Sequence, residues 1–451
     1  MPPAPALNPD SVISYRYLLD KAWPIILANM SVPLLGLVDT AVIGNVGSAA
    51  DLGAIALGTL LFSFVYWGFG FLRMGTTAFV AQANGANNES EVRSTLGRAL
   101  LMALGLGLML IALQWPIELA AFKALSANSA VESVAGQYFS IRIWGAPATL
   151  SMFALMGLLV GLGLSRQLLL LQLVLNGLNI VFDGIFAGLL GMGVAGIALG
   201  TVLAEWLAVI FGWWLVQRTL RQRCSGSEPF WRWQQIADRD SLRRMISANG
   251  DIMIRTLLLV FCFAWFTNQS AQFGDVPLAA NYLLLQLIAC SAFFLDGYAF
   301  VVESLIGRAI GAKNSVMFNQ AVARSTLLAL LTAIVLAAVL YLFGTVAIAL
   351  LTDLPAVREA ANELRYLAAL YVLLAFAAFQ LDGIFIGAAF TRQMRDAAAI
   401  SSVAFLLLCW LLLEPYAMVG LWWAFIAYVC VRALALLIYY PALRRSVTGS
   451  G

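Results

Sequence analysis

No histidine occurs in the 451 residues of this chain. Its absence removes the commonest proton carrier near neutral pH and the commonest metal ligand, so any proton chemistry falls to carboxylates. Charge is scarce too: 11% of residues are Asp, Glu, Lys or Arg, while 62% are hydrophobic. A soluble domain carries about 25% charged residues, so the composition describes a polytopic membrane protein. The formal net charge of +3, with no basic tract interleaved with aromatics, excludes a nucleic-acid partner. Five cysteines (Cys224, Cys262, Cys290, Cys409 and Cys430) are scattered without metal-ligand spacing, four of them in apolar runs. They read as small buried hydrophobes, and no disulfide framework is expected. No G-x-S-x-G motif and no metal cluster is present, which argues against a membrane-embedded enzyme and against a cofactor. The polar, Pro-rich start (1–20) lacks the pattern of a cleaved signal peptide, so the first spanning helix is expected to direct insertion.

What the chain has in plenty is apolar runs of the ~20 residues that a helix needs to cross a bilayer. Twelve are expected, over 18–43, 53–82, 94–114, 133–162, 167–190, 193–218, 247–271, 277–307, 320–345, 360–389, 396–413 and 417–441. Nineteen Lys and Arg fall on one set of helix ends and connections, and three (Lys123, Arg358 and Arg365) on the other. The positive-inside rule then places both termini in the cytoplasm, as an even number of spans requires.

The longest polar interruption, 219–246, divides the chain into an N-terminal lobe (18–218) and a C-terminal lobe (247–441), with tails 1–17 and 442–451. Its F-W-R-W-Q-Q-I stretch and arginines fit either an interfacial amphipathic segment or an ordinary basic loop. The halves repeat. A-Q-A-N-G-A-N-N (81–88) matches G-R-A-I-G-A-K-N (307–314), and F-A-L-M-G-L-L-V-G (153–161) matches F-Q-L-D-G-I-F-I-G (379–387), both at an offset of 226. Six helices separate the copies, so the repeats share one orientation. Two parallel six-helix lobes around a central cleft are therefore expected, the architecture of an alternating-access transporter.

Carboxylates mark the site. In N-G-L-N-I-V-F-D-G-I-F (176–186), Asn179 and Asp183 stand four residues apart, on one helix face. Asp39 lies in the first apolar run, within L-V-D-T-A-V-I-G. An Asp at mid-helix costs about 2.5–3.5 kcal/mol on insertion scales, so intramembrane acids mark ion, proton or partner sites. From the order of spans, Asp39, Asn179, Asp183 and Thr201 are expected to converge as one oxygen-rich site. Two close carboxylates raise one another's proton affinity, and the same oxygens could ligate Na⁺. Asp39 aligns with Trp265 in the other half, so the acid pair is peculiar to the N-terminal lobe. Asn176, Met30, Met152, Met156 and Met192 are candidate cavity residues for flat organic cations. In the C-terminal lobe, Arg255, Asp296, Glu303 and Asp382 form an expected polar network, with Arg255 paired to Asp296 or Glu303; a second coupling or gating site is the alternative.

The N-I-V-F-D-G-I-F…G-V-A-G-I-A-L-G-T and V-P-L-L-G-L-V-D-T-A-V-I-G motifs, together with the duplication, resemble the multidrug and toxic compound extrusion (MATE) family. N-G-D-I-M-I-R-T-L (249–257) and F-L-D-G-Y-A-F-V-V-E-S (294–304) are similar to its DinF-type bacterial branch. The resemblance implies export of amphipathic, often cationic, organic compounds driven by H⁺ or Na⁺. It assigns Asp39, Asn179, Asp183 and Thr201 to the coupling site. It also implies bending of helix 1 at Pro24, and Pro33 removes a further helix hydrogen bond nearby. The acidic C-lobe site of the NorM-type branch is not reproduced. The reading is thus a monomeric antiporter of small organic molecules in the bacterial cytoplasmic membrane, with lipid as its surroundings. A lipid or lipid-linked saccharide flippase is the runner-up, and an oligomeric channel the third.

Overall fold

The computed structural model describes residues 13–46, 49–125, 129–223 and 230–448, without the side chains of 34–35, 37–46, 49–50, 121–122, 124–125, 129–130 and 448. No strand occurs among the described residues. In lipid every backbone N–H must be satisfied within its own segment, so apolar runs of this length become helices. Ten described helices are long and apolar enough to cross a membrane. The last, Thr391–Val447, is two spans: Ala417 (φ 47°, ψ −127°) breaks it two residues after Pro415. With Tyr15–Val46 the long apolar helices among the described residues number the expected twelve, beside the shorter Gln114–Leu125 and Trp233–Ile236. In order they are α1 (Tyr15–Val46), α2 (Asp51–Gly85), α3 (Glu89–Ala112), α4 (Val131–Gly161), α5 (Ser165–Leu189), α6 (Gly193–Arg223), α7 (Arg239–Ala271), α8 (Asp275–Gly311), α9 (Ser315–Leu351), α10 (Pro355–Gly387), α11 (391–416) and α12 (418–447). This is an all-α, multi-pass membrane protein.

The duplication extends to individual atoms. Gly157 and Gly161 of α4 lie against α2, where an added Cβ would stand 2.6 Å from the Arg73 carbonyl and 2.9 Å from that of Thr77. At the equivalent positions, Gly383 and Gly387 of α10 lie against α8, at the carbonyls of Ala299 (2.6 Å from the added Cβ) and Glu303. Small residues four apart let two helix backbones meet, which is how helices associate where lipid removes the hydrophobic drive. The turns repeat likewise. Asn87 (φ 54°) matches Lys313 (φ 50°), and Gly163 (φ 69°) matches Ala389 (φ 57°). Asn88 caps α3 by accepting from Glu91 N, and Asn314 caps α9 by accepting from Met317 N. Ala389 thus holds a left-handed backbone where its counterpart is glycine, a conformation that costs an L residue about 1 kcal/mol. Ala389→Gly is expected to raise stability by up to about 1 kcal/mol. The midpoint of unfolding in detergent micelles checks this, and an unchanged or lower midpoint would count against the strain.

The chain forms two compact units, 27–245 and 246–451, with the first described residues up to Ile26 grouped with the second. This division falls inside α1, after Ile26. Packing is the reason: Gly297 of α8 has no Cβ and admits Ile26 and Ala22, Ile13 N donates to Gln320 (3.2 Å), and Arg324 donates to the Ile13 carbonyl.

In the first unit, residues 219–223 and 230–245 of the expected linker are described. α6 continues to Arg223, α7 starts at Arg239, and a one-turn helix Trp233–Ile236 lies between. That turn is docked on α3. Gln235 Oε1 accepts from Ser90 (2.5 Å) and Ser94 (3.3 Å), Arg98 donates to the Gln235 carbonyl (3.0 Å), and Ile236 fills the space beside Gly97. Trp231 stacks on Trp213 with centroids 5.6 Å apart. Asp238 accepts from Ser241 N (2.9 Å), and the hydrogen bonds from Ser241 hold its carboxyl below the usual carboxylate range. In the second unit the core gathers around Phe425, whose ring meets Phe263, Phe266, Tyr371 and Phe405.

Candidate functional site

One stripe of α5 carries the polar residues of the first unit. Gln172, Asn176, Asn179 and Asp183 recur at spacings of four, three and four, which keeps them on one helical face. All are buried, Asn179 with 1% and Asp183 with 0% of its surface exposed. Immediately after Asp183 the helix widens into a π turn, Gly184–Leu189, a geometry frequent at functional sites. Gly191 (φ 65°) and Gly193 (φ 55°) then reverse the chain into α6.

The small face of α6 receives this stripe. A Cβ at Gly196 would stand 2.8 Å from the Ala187 N, and one at Gly200 would stand 2.7 Å from Asp183 Oδ1. Glycine at 200 is therefore what admits the carboxylate against α6. One residue on, Thr201 accepts a hydrogen bond from Asn179 Nδ2 (3.0 Å) while donating to the Ile197 carbonyl (2.9 Å). Asn179 Oδ1 is buried and has no hydrogen-bond partner among the described residues. The result is an oxygen-bearing cluster of carboxylate, amide and hydroxyl between two helices. It can accept a proton on Asp183 or offer oxygens to a small cation.

The structure thus brings Asn179, Asp183 and Thr201 together. The Asp39 side chain lies outside the described residues, although its backbone is helical in α1. Asn176 is engaged: it accepts from Gln172 (3.1 Å) and donates to the carbonyl (3.1 Å) and hydroxyl (2.8 Å) of Ser31 in α1. Gln172, Ser31 and Gly200 were not anticipated; the 3–4 spacing of amides along α5 was the signal that could have found Gln172. Met152 is buried, Met156 half-buried, and Met30 and Met192 are 39% and 42% exposed. Pro24 is buried and Pro33 exposed, and α1 stays helical through both.

One turn beyond Thr201, Glu205 makes a two-pronged ion pair with Arg142 of α4 (2.8 and 2.6 Å), both residues being buried. The guanidinium lies over the rings of Phe62 (5.3 Å) and Tyr66 (5.5 Å). Planar donors matched to a carboxylate and stacked on aromatics are the arrangement in which arginine best tolerates burial.

In the second unit, Arg255 pairs with Asp382, and Arg432 reaches the same carboxylate at 3.6 Å. This corrects the expected pairing of Arg255 with Asp296 or Glu303: its carboxylate partner is Asp382. The reason is register. Asp382 directly precedes Gly383, whose contact with α8 sets the position of α10. Asp251 pairs with Arg395 (2.8 Å) and accepts from Thr391 (3.2 Å). Among the described residues no group of three or more His, Cys, Asp or Glu could hold a metal ion.

The MatE family model matches residues 24–185 and 252–411. DNA damage-inducible protein F of Escherichia coli is 36% identical over 428 residues, covering 94% of this chain and 91% of that protein. A probable multidrug resistance protein NorM of Acinetobacter baylyi is 26% identical over 390 residues, with coverage of 84% and 83%. Among solved structures, the Vibrio cholerae MATE transporter VcmN in its bent form has the same fold, at a TM-score of 0.85 and 21% identity, with coverage of 96% of this chain and 97% of that one. The duplicated twelve-helix chain belongs to the MatE family, the multidrug and toxic compound extrusion proteins, and to its DinF-type branch.

Proposed function

We propose that this protein is a secondary active exporter of amphipathic organic compounds in the bacterial cytoplasmic membrane, with both termini cytoplasmic, driven by inward movement of H⁺ or Na⁺. One observation carries the reading: Asp183, with none of its surface exposed, sits at the α5–α6 contact beside Asn179 and Thr201. A carboxylate kept at that depth in lipid is costly, and use as an ion or proton acceptor is the default reason for retaining it. The names of relatives, among them multidrug resistance proteins of the NorM and MdtK kinds, support the substrate class.

In the proposed cycle, substrate enters from the cytoplasmic side while Asp183 is unprotonated. A proton from outside then converts the carboxylate to the acid, with Asp39 on α1 as its partner; Na⁺ would instead be ligated by the same oxygens and those of Asn179 and Thr201. Either event removes a buried negative charge. α1 is tied to this stripe through Ser31 and Asn176 (2.8 Å), so repacking here moves α1 and releases substrate outward. A potential of 100 mV supplies about 2.3 kcal/mol per elementary charge.

The test uses proteoliposomes loaded with a fluorescent organic cation, first under a pH gradient and then under an Na⁺ gradient at fixed pH and clamped voltage. Movement driven by either gradient is expected and identifies the coupling ion. Dye that moves under neither, with labelled lipid scrambled between leaflets instead, would replace the exporter reading by a flippase.

A further inference from the structure

The second unit holds a charge imbalance that the coupling site does not use. Arg255 and Arg432 are 9% and 4% exposed, and Asp382 is 7% exposed. Both guanidinium groups reach a single oxygen, Oδ2 of Asp382. Neither pairs with Asp251, which is taken by Arg395. The Nε of each arginine is buried without a hydrogen-bond partner. Among the described residues two guanidinium groups thus share one carboxylate inside a helical bundle. Arginine cannot discharge itself by losing a proton, as a buried lysine can. The ring of Tyr428 under Arg432 (5.7 Å) offers a partial charge only. An uncompensated charge in such surroundings is expensive unless something pairs with it.

The first unit has no counterpart. At the positions 226 residues earlier stand Asn29, Met156 and Trp206, all uncharged. The cluster is therefore an addition to one half of a duplicated fold and not a requirement of the fold itself.

We propose that the Arg255–Asp382–Arg432 centre is a binding site for a monovalent anion that accepts hydrogen bonds from the guanidinium groups, either a small inorganic anion or the carboxylate of an amphiphile. The planar forks suit a carboxylate, and the single excess charge sets the valence at one. This inference stands apart from the export reading, because the site is defined by charge balance and its occupancy is measured without any gradient.

The experiment titrates sodium chloride and, separately, sodium benzoate into the purified full chain in low-salt detergent micelles and follows the midpoint of thermal unfolding. Wild type is expected to show a saturable rise with at least one anion. Arg432→Gln leaves a balanced Arg255–Asp382 pair, so it is expected to lose the rise and to be at least as stable as wild type without anion. Asp382→Asn leaves two cations and no acid, so it is expected to start lower and to rise further than wild type. Arg432→Lys keeps the charge and keeps the response. A response to both anions makes this a small-anion site; a response to benzoate alone makes the organic carboxylate its ligand. The proposal is overturned by a wild type that responds to neither, or by Arg432→Gln that responds as wild type does. If Arg432→Gln does not accumulate, Asp382→Asn decides: a rise no larger than that of wild type overturns it.

Discussion

Asp183→Asn is expected to leave the chain folded and inserted while abolishing gradient-driven accumulation of substrate. The replacement keeps the shape of the side chain that packs at Gly200 but removes the carboxylate there that can take up and release a proton. For a neutral substrate exchanged against one proton, 100 mV supports about 2.3 kcal/mol, or roughly a 50-fold concentration ratio, and this is what the variant loses. Gly200→Val reaches the same end by another route. Since even one carbon at 200 would stand 2.7 Å from Asp183 Oδ1, the larger side chain must push the carboxylate from α6. Counterflow of dye without a gradient separates loss of coupling from loss of substrate binding. Asp183→Asn vesicles that concentrate dye as wild type does would remove Asp183 from the mechanism.

Breaking the Arg142–Glu205 pair from one side is expected to be among the most damaging single changes to stability. Both partners are buried and joined by two short hydrogen bonds (2.8 and 2.6 Å). Arg142→Met leaves Glu205 charged in an apolar bundle, and Glu205→Leu leaves Arg142 the same way over Phe62 and Tyr66. Removing one partner of such a pair costs about 3–5 kcal/mol, whereas replacing both by apolar groups of similar volume is often close to neutral. Arg142→Met/Glu205→Leu is therefore expected to be more stable than either single variant. Denaturant unfolding in micelles measures all four proteins. Additive losses in the double variant would mean that the two residues act separately.

How far these sites were legible depended on how local their determinants are. The twelve helices and their duplication could be read because lipid forbids unsatisfied backbone, so run length alone settles the element type. Even the helix crossings left a trace, since Gly157, Gly161, Gly383 and Gly387 are glycines for a reason visible only as a spacing until the opposing carbonyls are placed. Asn179, Asp183 and Thr201 were legible because polar residues in apolar runs are conspicuous. Ser31 and Gly200 were not. A serine and a glycine in a membrane helix are ordinary, and only the neighbouring helix makes one a partner for Asn176 and the other the space for a carboxylate. The partner of Arg255 went astray for the same reason: three acids lay within plausible reach, and the choice among them is a matter of helix rotation.

By itself, then, the sequence determined that this chain spans a membrane twelve times, that its halves repeat, and that a carboxylate is buried in its first half. Each follows from periodicity and from the cost of polar groups in lipid, which a linear text records. The tertiary structure decided which polar groups meet. Asp382 goes to Arg255 and Arg432, Asn176 to α1, Arg142 to Glu205, and the turn at Trp233–Ile236 to α3. Such pairings depend on ångström-scale rotation and translation of helices dozens of residues apart, set by where glycines permit close approach.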